Sequence, residues 1–200
     1  MTEHILLVVA CVLPAVVWGF SRGAGDQACI NLTPNHDSTS QNSTPPYTLI
    51  VDTTSIRQGG VVTVTLNATA AGDTFRGFLV QARCTKCTTA DTAIVPGTFA
   101  KYNASDDTIQ TKNCAGVDQN SITHTSAVEK TSAMFTWTAP SDYDVSQGIE
   151  FRAAVVQTRP VWWNTLMSEE ISVTAAPSSS SHTVLGMAVV IVSITASLLL

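Results

Sequence analysis

Cys84 and Cys87 stand three positions apart, at the end of "FRGFLVQAR" (residues 75–83), the run that reads as the best strand in the chain. A CxxC can be a redox centre, half a zinc site or a local disulfide staple, and each makes a different protein. Redox chemistry wants a βαβ setting with a helix N-terminus to lower the first thiol's pKa, whereas extended segments flank this pair. Zinc wants a second CxxC or paired histidines at ligand spacing, and neither is present. Residues i and i+3 of a β-turn lie within bridging distance, so the staple ranks first. Cys11 falls in the leading apolar segment, leaving Cys29 and Cys114 as the other cysteines. Four cysteines allow three pairings and spacing does not choose among them; a Cys84–Cys87 staple leaves Cys29 for Cys114.

His36 and His124 each lie within ten residues of one of that second pair. Together they could make a metal or pH-sensitive site; the plainer reading is hydrogen bonding to loop backbone. With no Asp or Glu at evident spacing they are a poor metal set, so no metal is assigned and the two remain the candidates should one bind. Asp106 and Asp107 could touch calcium, but that ion needs six to eight oxygens. Trp162 and Trp163 follow Arg159 and Pro160 and could anchor a ligand; the adjoining apolar positions place at least one of them in the core. No nucleophile elbow, Gly-rich phosphate loop or HExxH occurs. Neither an enzyme nor a cofactor is expected.

The ends of the chain set the compartment. Residues 5–17 are nearly all apolar and small residues follow them, as in a secretory signal peptide over residues 1–22, although the leading "MTEH" lacks a basic residue. The last 17 residues, 184–200, are apolar to the final leucine, behind a Ser-rich linker at 175–183. That arrangement fits a GPI-attachment signal with Ser178 and Ser179 as leading attachment candidates, although its polar spacer is short. The alternative is a C-terminal anchor helix. Either places the protein on the outer face of a membrane, with free secretion as a further option. Asn31, Asn42, Asn67 and Asn103 each open an N-x-[ST] triplet, the acceptor pattern for surface glycans. From Arg22 onward the chain has 10 basic and 14 acidic residues, a formal charge of −4 that argues against nucleic acid as a partner.

These residues must be positioned by strands. In "VVTVTLN", Val62, Val64 and Leu66 share one face and Thr63, Thr65 and Asn67 the other. "IEFRAAVVQT" puts Ile149, Phe151, Ala153 and Val155 inward, and "AMFTWTAP" does so with Phe135, Trp137 and Ala139 before stopping at Pro140. "FRGFLVQAR" is apolar on both faces and reads as an inner strand. With "YTLIV", "AIVPGTF" and "EISVT" the count is seven or eight strands, and the polar stretch 101–130 reads as long connecting loops. No 3.6-residue period is sustained between the terminal segments. The fold class expected is all-β, an immunoglobulin-like antiparallel sandwich spanning residues 26–174.

The series "ACINLTPNH" (28–36), "PYTLIV" (46–51), "FRGFLVQAR", "GTF" (97–99), Cys114 with "ITHT" (122–125), "FTWTAPS" (135–141) and "IEFRAAVVQ" (149–157) resembles the reeler, or reelin N-terminal, domain over nearly the whole mature chain. The resemblance implies an immunoglobulin-like sandwich in a secreted or cell-surface protein, and it carries the family's long-range disulfide onto Cys29 and Cys114. The CxxC stands outside that pattern. Reeler domains occur in reelin, F-spondin-like matrix proteins, small insect defence proteins and ferric-chelate-reductase-like membrane proteins. The reductases add a DOMON module and a haem-binding bundle not found in this sequence, so their electron transfer is not expected to carry over. What the resemblance implies is recognition or adhesion outside the cell, with a role in innate defence, toward an unknown protein or glycan. The competing reading is a redox or metal-handling accessory using Cys84, Cys87, His36 or His124.

Overall fold

The computed structural model describes residues 22–87 and 94–177. Residues 1–21 of the signal segment, Ser178, Ser179 and the apolar tail lie outside the described residues. Among those described, one helical turn, α1 (Ala28–Asn31), precedes eleven strands. They are β1 (Tyr47–Val51), β2 (Ser55–Arg57), β3 (Val61–Ala68), β4 (Gly77–Cys84), β5 (Thr98–Lys101), β6 (Ile109–Cys114), β7 (Val117–His124), β8 (Ser132–Thr138), β9 (Gly148–Thr158), β10 (Val161–Met167) and β11 (Ile171–Thr174). No helix among these residues is long and apolar enough to cross a membrane.

Two sheets form. One runs β1-β3-β8-β5 and the other β2-β11-β9-β4-β7-β6, with β10 paired to β9 as well. All pairings are antiparallel except β2 with β11. Alternation puts Val62, Val64 and Leu66 of β3 opposite Trp137, Phe135 and Ala133 of β8, all on the inner face and all buried. From the other sheet, Phe78, Val80 and Ala82 of β4 lie beside Val155, Ala153 and Phe151 of β9 and meet them across the core. Aromatic edges lock the layer: Phe99 meets Phe151 at 5.9 Å between ring centroids and Trp137 meets Phe151 at 5.6 Å. This core lies wholly between Tyr47 and Val173, so residues 22–177 carry a folding unit of their own.

Two sequence expectations are corrected. The stretch 101–130 is not loop, because it holds part of β5 and the β6–β7 hairpin, whose Ile109 and Ile122 are fully buried. That hairpin shows little alternation because only one face reaches the apolar core. The other buries Ser121 and Thr123. Its two-residue turn, Ala115 and Gly116, has φ of 54° and 77°, the two positive angles of a type I′ hairpin built without the usual Asn-Gly. The strand count also rises, since β2 has three residues and β10 is the tryptophan segment.

Candidate functional site

The second sheet has an outer face, and the N-terminal segment 22–46 lies across it as a strap. Leu79 and Ala154 on that face pack with Ala28 and Leu32 of the strap in a separate four-residue apolar cluster. Between these contacts the interface is polar. The buried Arg83 donates to the carbonyls of Cys29 and Ile30, both at 3.1 Å, and to Gln81 Oε1. Gln81 Nε2 also donates to Cys29 O at 3.2 Å. One buried guanidinium thereby collects carbonyls at the end of the short helix. Burial first, then the nearby Arg152, lowers the Arg83 pKa to about 10.

Covalent and ionic ties complete the seam. Cys29 is bonded to Cys114, with Cα atoms 5.4 Å apart. Lys112 pairs with Asp26 at 2.6 Å. The Ala24 N–H donates to Thr123 Oγ1 at 3.0 Å. Farther along, the indole N–H groups of Trp162 and Trp163 donate to Ser38 Oγ at 2.9 Å and Ser43 O at 3.0 Å. Both tryptophans are buried, so they hold the strap and are no exposed anchor. Cys84 and Cys87 are bonded to each other at the far end of β4, Cα atoms 5.7 Å apart, with Gln147 Oε1 at 3.3 and 3.0 Å from their sulfurs.

The strap does not seal everywhere. A cavity of about 330 Å³ remains between it and the ends of β4, β7 and β9. Leu79, Ala154 and Val156 make an apolar floor with Ala28, while Arg76, Arg159, His36 and His124 stand in its wall. Among the described lining residues there is no carboxylate, and Thr158 carries the only hydroxyl. Two histidines 88 positions apart in the chain therefore line one cavity. His124 Nδ1 lies 3.1 Å from the Phe78 backbone nitrogen and 3.2 Å from both the Phe78 carbonyl oxygen and Thr123 Oγ1, which fix the ring against the end of β4. Gly77 makes room for that ring, for a Cβ there would lie 3.0 Å from its Cε1. His36 is half-buried, and burial holds its pKa below the usual imidazole value against the opposing bond to the Arg159 backbone; the Arg159 charge lowers it further and Asp37 raises it. Its buried Nδ1 has no hydrogen-bond partner.

Each arginine in the wall holds one exposed carboxylate, Arg76 with Glu129 at 2.8 Å and Arg159 with Asp37 at 3.0 Å. Such pairs contribute only about 0–1 kcal/mol and exchange readily. Asp106 does not reach outward for an ion, because its Oδ1 accepts from the Thr108 N–H and hydroxyl at 2.8 and 2.6 Å. No group of three or more potential metal ligands occurs among the described residues. The arrangement offers shape, apolar contact and arginine side chains, and among the described lining residues no nucleophile is held against a base.

His36 and His124 stand out in the sequence, whereas Arg76 and the pair Gln81 and Arg83 do not. The signal was there: two long polar residues inside the best strand mark a buried polar face.

An all-β sandwich with a disulfide-tied strap over one sheet defines an extracellular module, and comparison with known proteins names it. The reeler domain family model matches residues 27–179, and the chain belongs to that family, whose domains are extracellular. It is 35% identical over 171 residues to the defense protein l(2)34Fc of Drosophila melanogaster, covering 84% of this chain and 98% of that one. A Danio rerio protein that bears the name of a ferric-chelate reductase is 29% identical over 179 residues, 90% of this chain, but the chain spans only 29% of its length. The crystal structure of the human F-spondin reeler domain superposes with a TM-score of 0.53 at 24% identity, covering 68% of this chain and 94% of that one, which establishes the shared fold.

Proposed function

We propose that this chain is a non-enzymatic recognition module of the defence type, carried through the secretory pathway and held on the outer cell surface by its C-terminal tail. The observation that carries the reading is the preformed cavity under the strap, apolar below and lined by two arginines at the wall. Relatives that bear defence names and match along nearly their whole length support the biological setting. The sequons fit it too. Asn31, Asn42 and Asn103 are exposed and Asn67 is half-buried. Asn31 and Asn103 accept the N–H two residues on, each at 3.0 Å, which presents the Thr or Ser of the triplet beside the amide.

The test is a binding screen of the secreted segment 22–177 against microbial cells and glycan and protein arrays, with the full chain expressed on cells alongside. Specific binding, together with release of the full chain by phosphatidylinositol-specific phospholipase, is the expected result. Absence of any binding removes the recognition reading. Resistance to the lipase together with loss into the medium removes the anchor.

A further inference from the structure

Resting on that reading of the cavity, we infer that the site takes an amphipathic anion of the fatty-acid class, with its carboxylate at Arg76 and Arg159 and its alkyl chain on the floor of Leu79, Ala154 and Val156. Three observations converge. The volume, about 330 Å³, lies at the lower end of small-ligand sites, which suits a single medium-length chain. The floor is aliphatic, the kind of surface that gains by excluding water from methylene groups. The wall holds two guanidinium groups and two imidazoles with no carboxylate among the described lining residues, so the preferred headgroup is an anion.

The arginines already show how a carboxylate docks. Glu129 sits on Arg76 at 2.8 Å and Asp37 on Arg159 at 3.0 Å. Both acids are side chains of solvent-facing segments, so a ligand whose tail is buried has an advantage over them that surface pairs lack. A polyanion such as a sulfated glycan would use the arginines but leave the floor empty. A neutral alcohol would use the floor and leave the arginines with their own partners. Only an amphiphile with negative charge at one end uses both.

The experiment is a calorimetric titration of the segment 22–177 with decanoate, decanol and acetate, all below micellar concentration. Decanoate is expected to saturate one site, with decanol and acetate each weaker by at least about tenfold. The double variant Arg76→Gln/Arg159→Gln should weaken decanoate by about tenfold or more and leave decanol unchanged. Both positions are exposed, so an unaltered melting temperature certifies the fold. Equal binding of decanol and decanoate overturns the inference, as does equal binding of acetate. If none of the three binds while the segment still labels microbial cells or arrays, the inference fails and the recognition reading survives. If that labelling is absent as well, both fall.

Discussion

The two faces of β4 make the most instructive contrast in the molecule. On one, Phe78, Val80 and Ala82 enter a continuous apolar core with the other sheet; on the other, Leu79, Gln81 and Arg83 meet the strap. The inner interface is held by area alone, roughly 25 cal/mol per Å² of apolar surface buried, and close packing leaves it no room for a ligand. The outer interface has four apolar residues in its cluster and is held by a disulfide, a buried guanidinium and an ion pair. Discrete ties fix a few points and leave space between them. A binding cavity needs such incomplete packing, and cross-ties make it tolerable.

The contrast predicts that breaking covalent ties hurts the outer face most. Replacing both Cys29 and Cys114 with alanine opens a loop spanning 85 residues, which in the chain-entropy model costs about 4 to 5 kcal/mol. Replacing Cys84 and Cys87 opens a separation of only 3 residues and should cost about 2 kcal/mol. Urea unfolding measures both, and limited proteolysis should nick the strap first in the long-bridge variant. Equal losses would contradict the ranking. Next in size come matched leucines. Leu66→Ala, in the inner core, should cost about 3 kcal/mol, and Leu79→Ala, in the small outer cluster beside a cavity, about 2. A larger loss at Leu79 would mean that the strap is packed as tightly as the core.

That contrast also explains what was legible in the sequence. Period-two runs such as Val62, Val64 and Leu66 announced the inner face, because one wet and one dry side is the pattern a half-buried strand must have. The double-sided apolar run at residues 75–83 placed β4 in the sheet interior for the same reason. The β6–β7 hairpin stayed hidden because its second buried face is polar, with Ser121 and Thr123 where alternation would want valine. The cavity was only half legible. His36 and His124 drew attention through the cysteines near them, whereas Arg76 and Arg159 become neighbours only when β4 and β9 pair: Arg76 N donates to Val156 O at 2.8 Å. Long-range pairing of that kind leaves no local trace.

A smaller effect is expected at Arg83. Arg83→Met keeps the aliphatic stem and removes the donors to Ile30 O and Gln81 Oε1, while Cys29 O keeps its bond from Gln81 Nε2; the lost bonds and the buried amide oxygen left unpaired should cost about 1 to 3 kcal/mol. Part of that loss is offset because a buried cation no longer has to be desolvated. Hydrogen exchange localises the effect: residues 24–32 should lose protection while β3 and β8 keep theirs. Uniform loss across both sheets would show that the two interfaces unfold as one.

The smallest expected effect is a pH dependence confined to the strap. The His36 imidazole is held below its ordinary pKa of 6.5, chiefly by burial, so the unfolded chain takes up a proton before the folded one as pH falls. Unfolded chains then bind more protons, and stability must rise with pH through that window and fall on acidification below about 6.5. Asp26, Asp144 and Glu170 all have pKa values lowered from carboxylate norms, so their contributions are lost only at more acidic pH. Asp37, which opposes the shift, and Arg159, whose charge adds to it while its backbone bond opposes it, are the neighbours of the ring. His36→Asn should therefore flatten the pH profile of the melting temperature between about pH 7.5 and 5.5, by less than about 2 °C because the ring is partly solvated. The same substitution should leave protection of β3 and β8 unchanged at every pH. A profile as steep in the variant as in the parent would move the acid sensitivity away from the strap and into the rest of the fold.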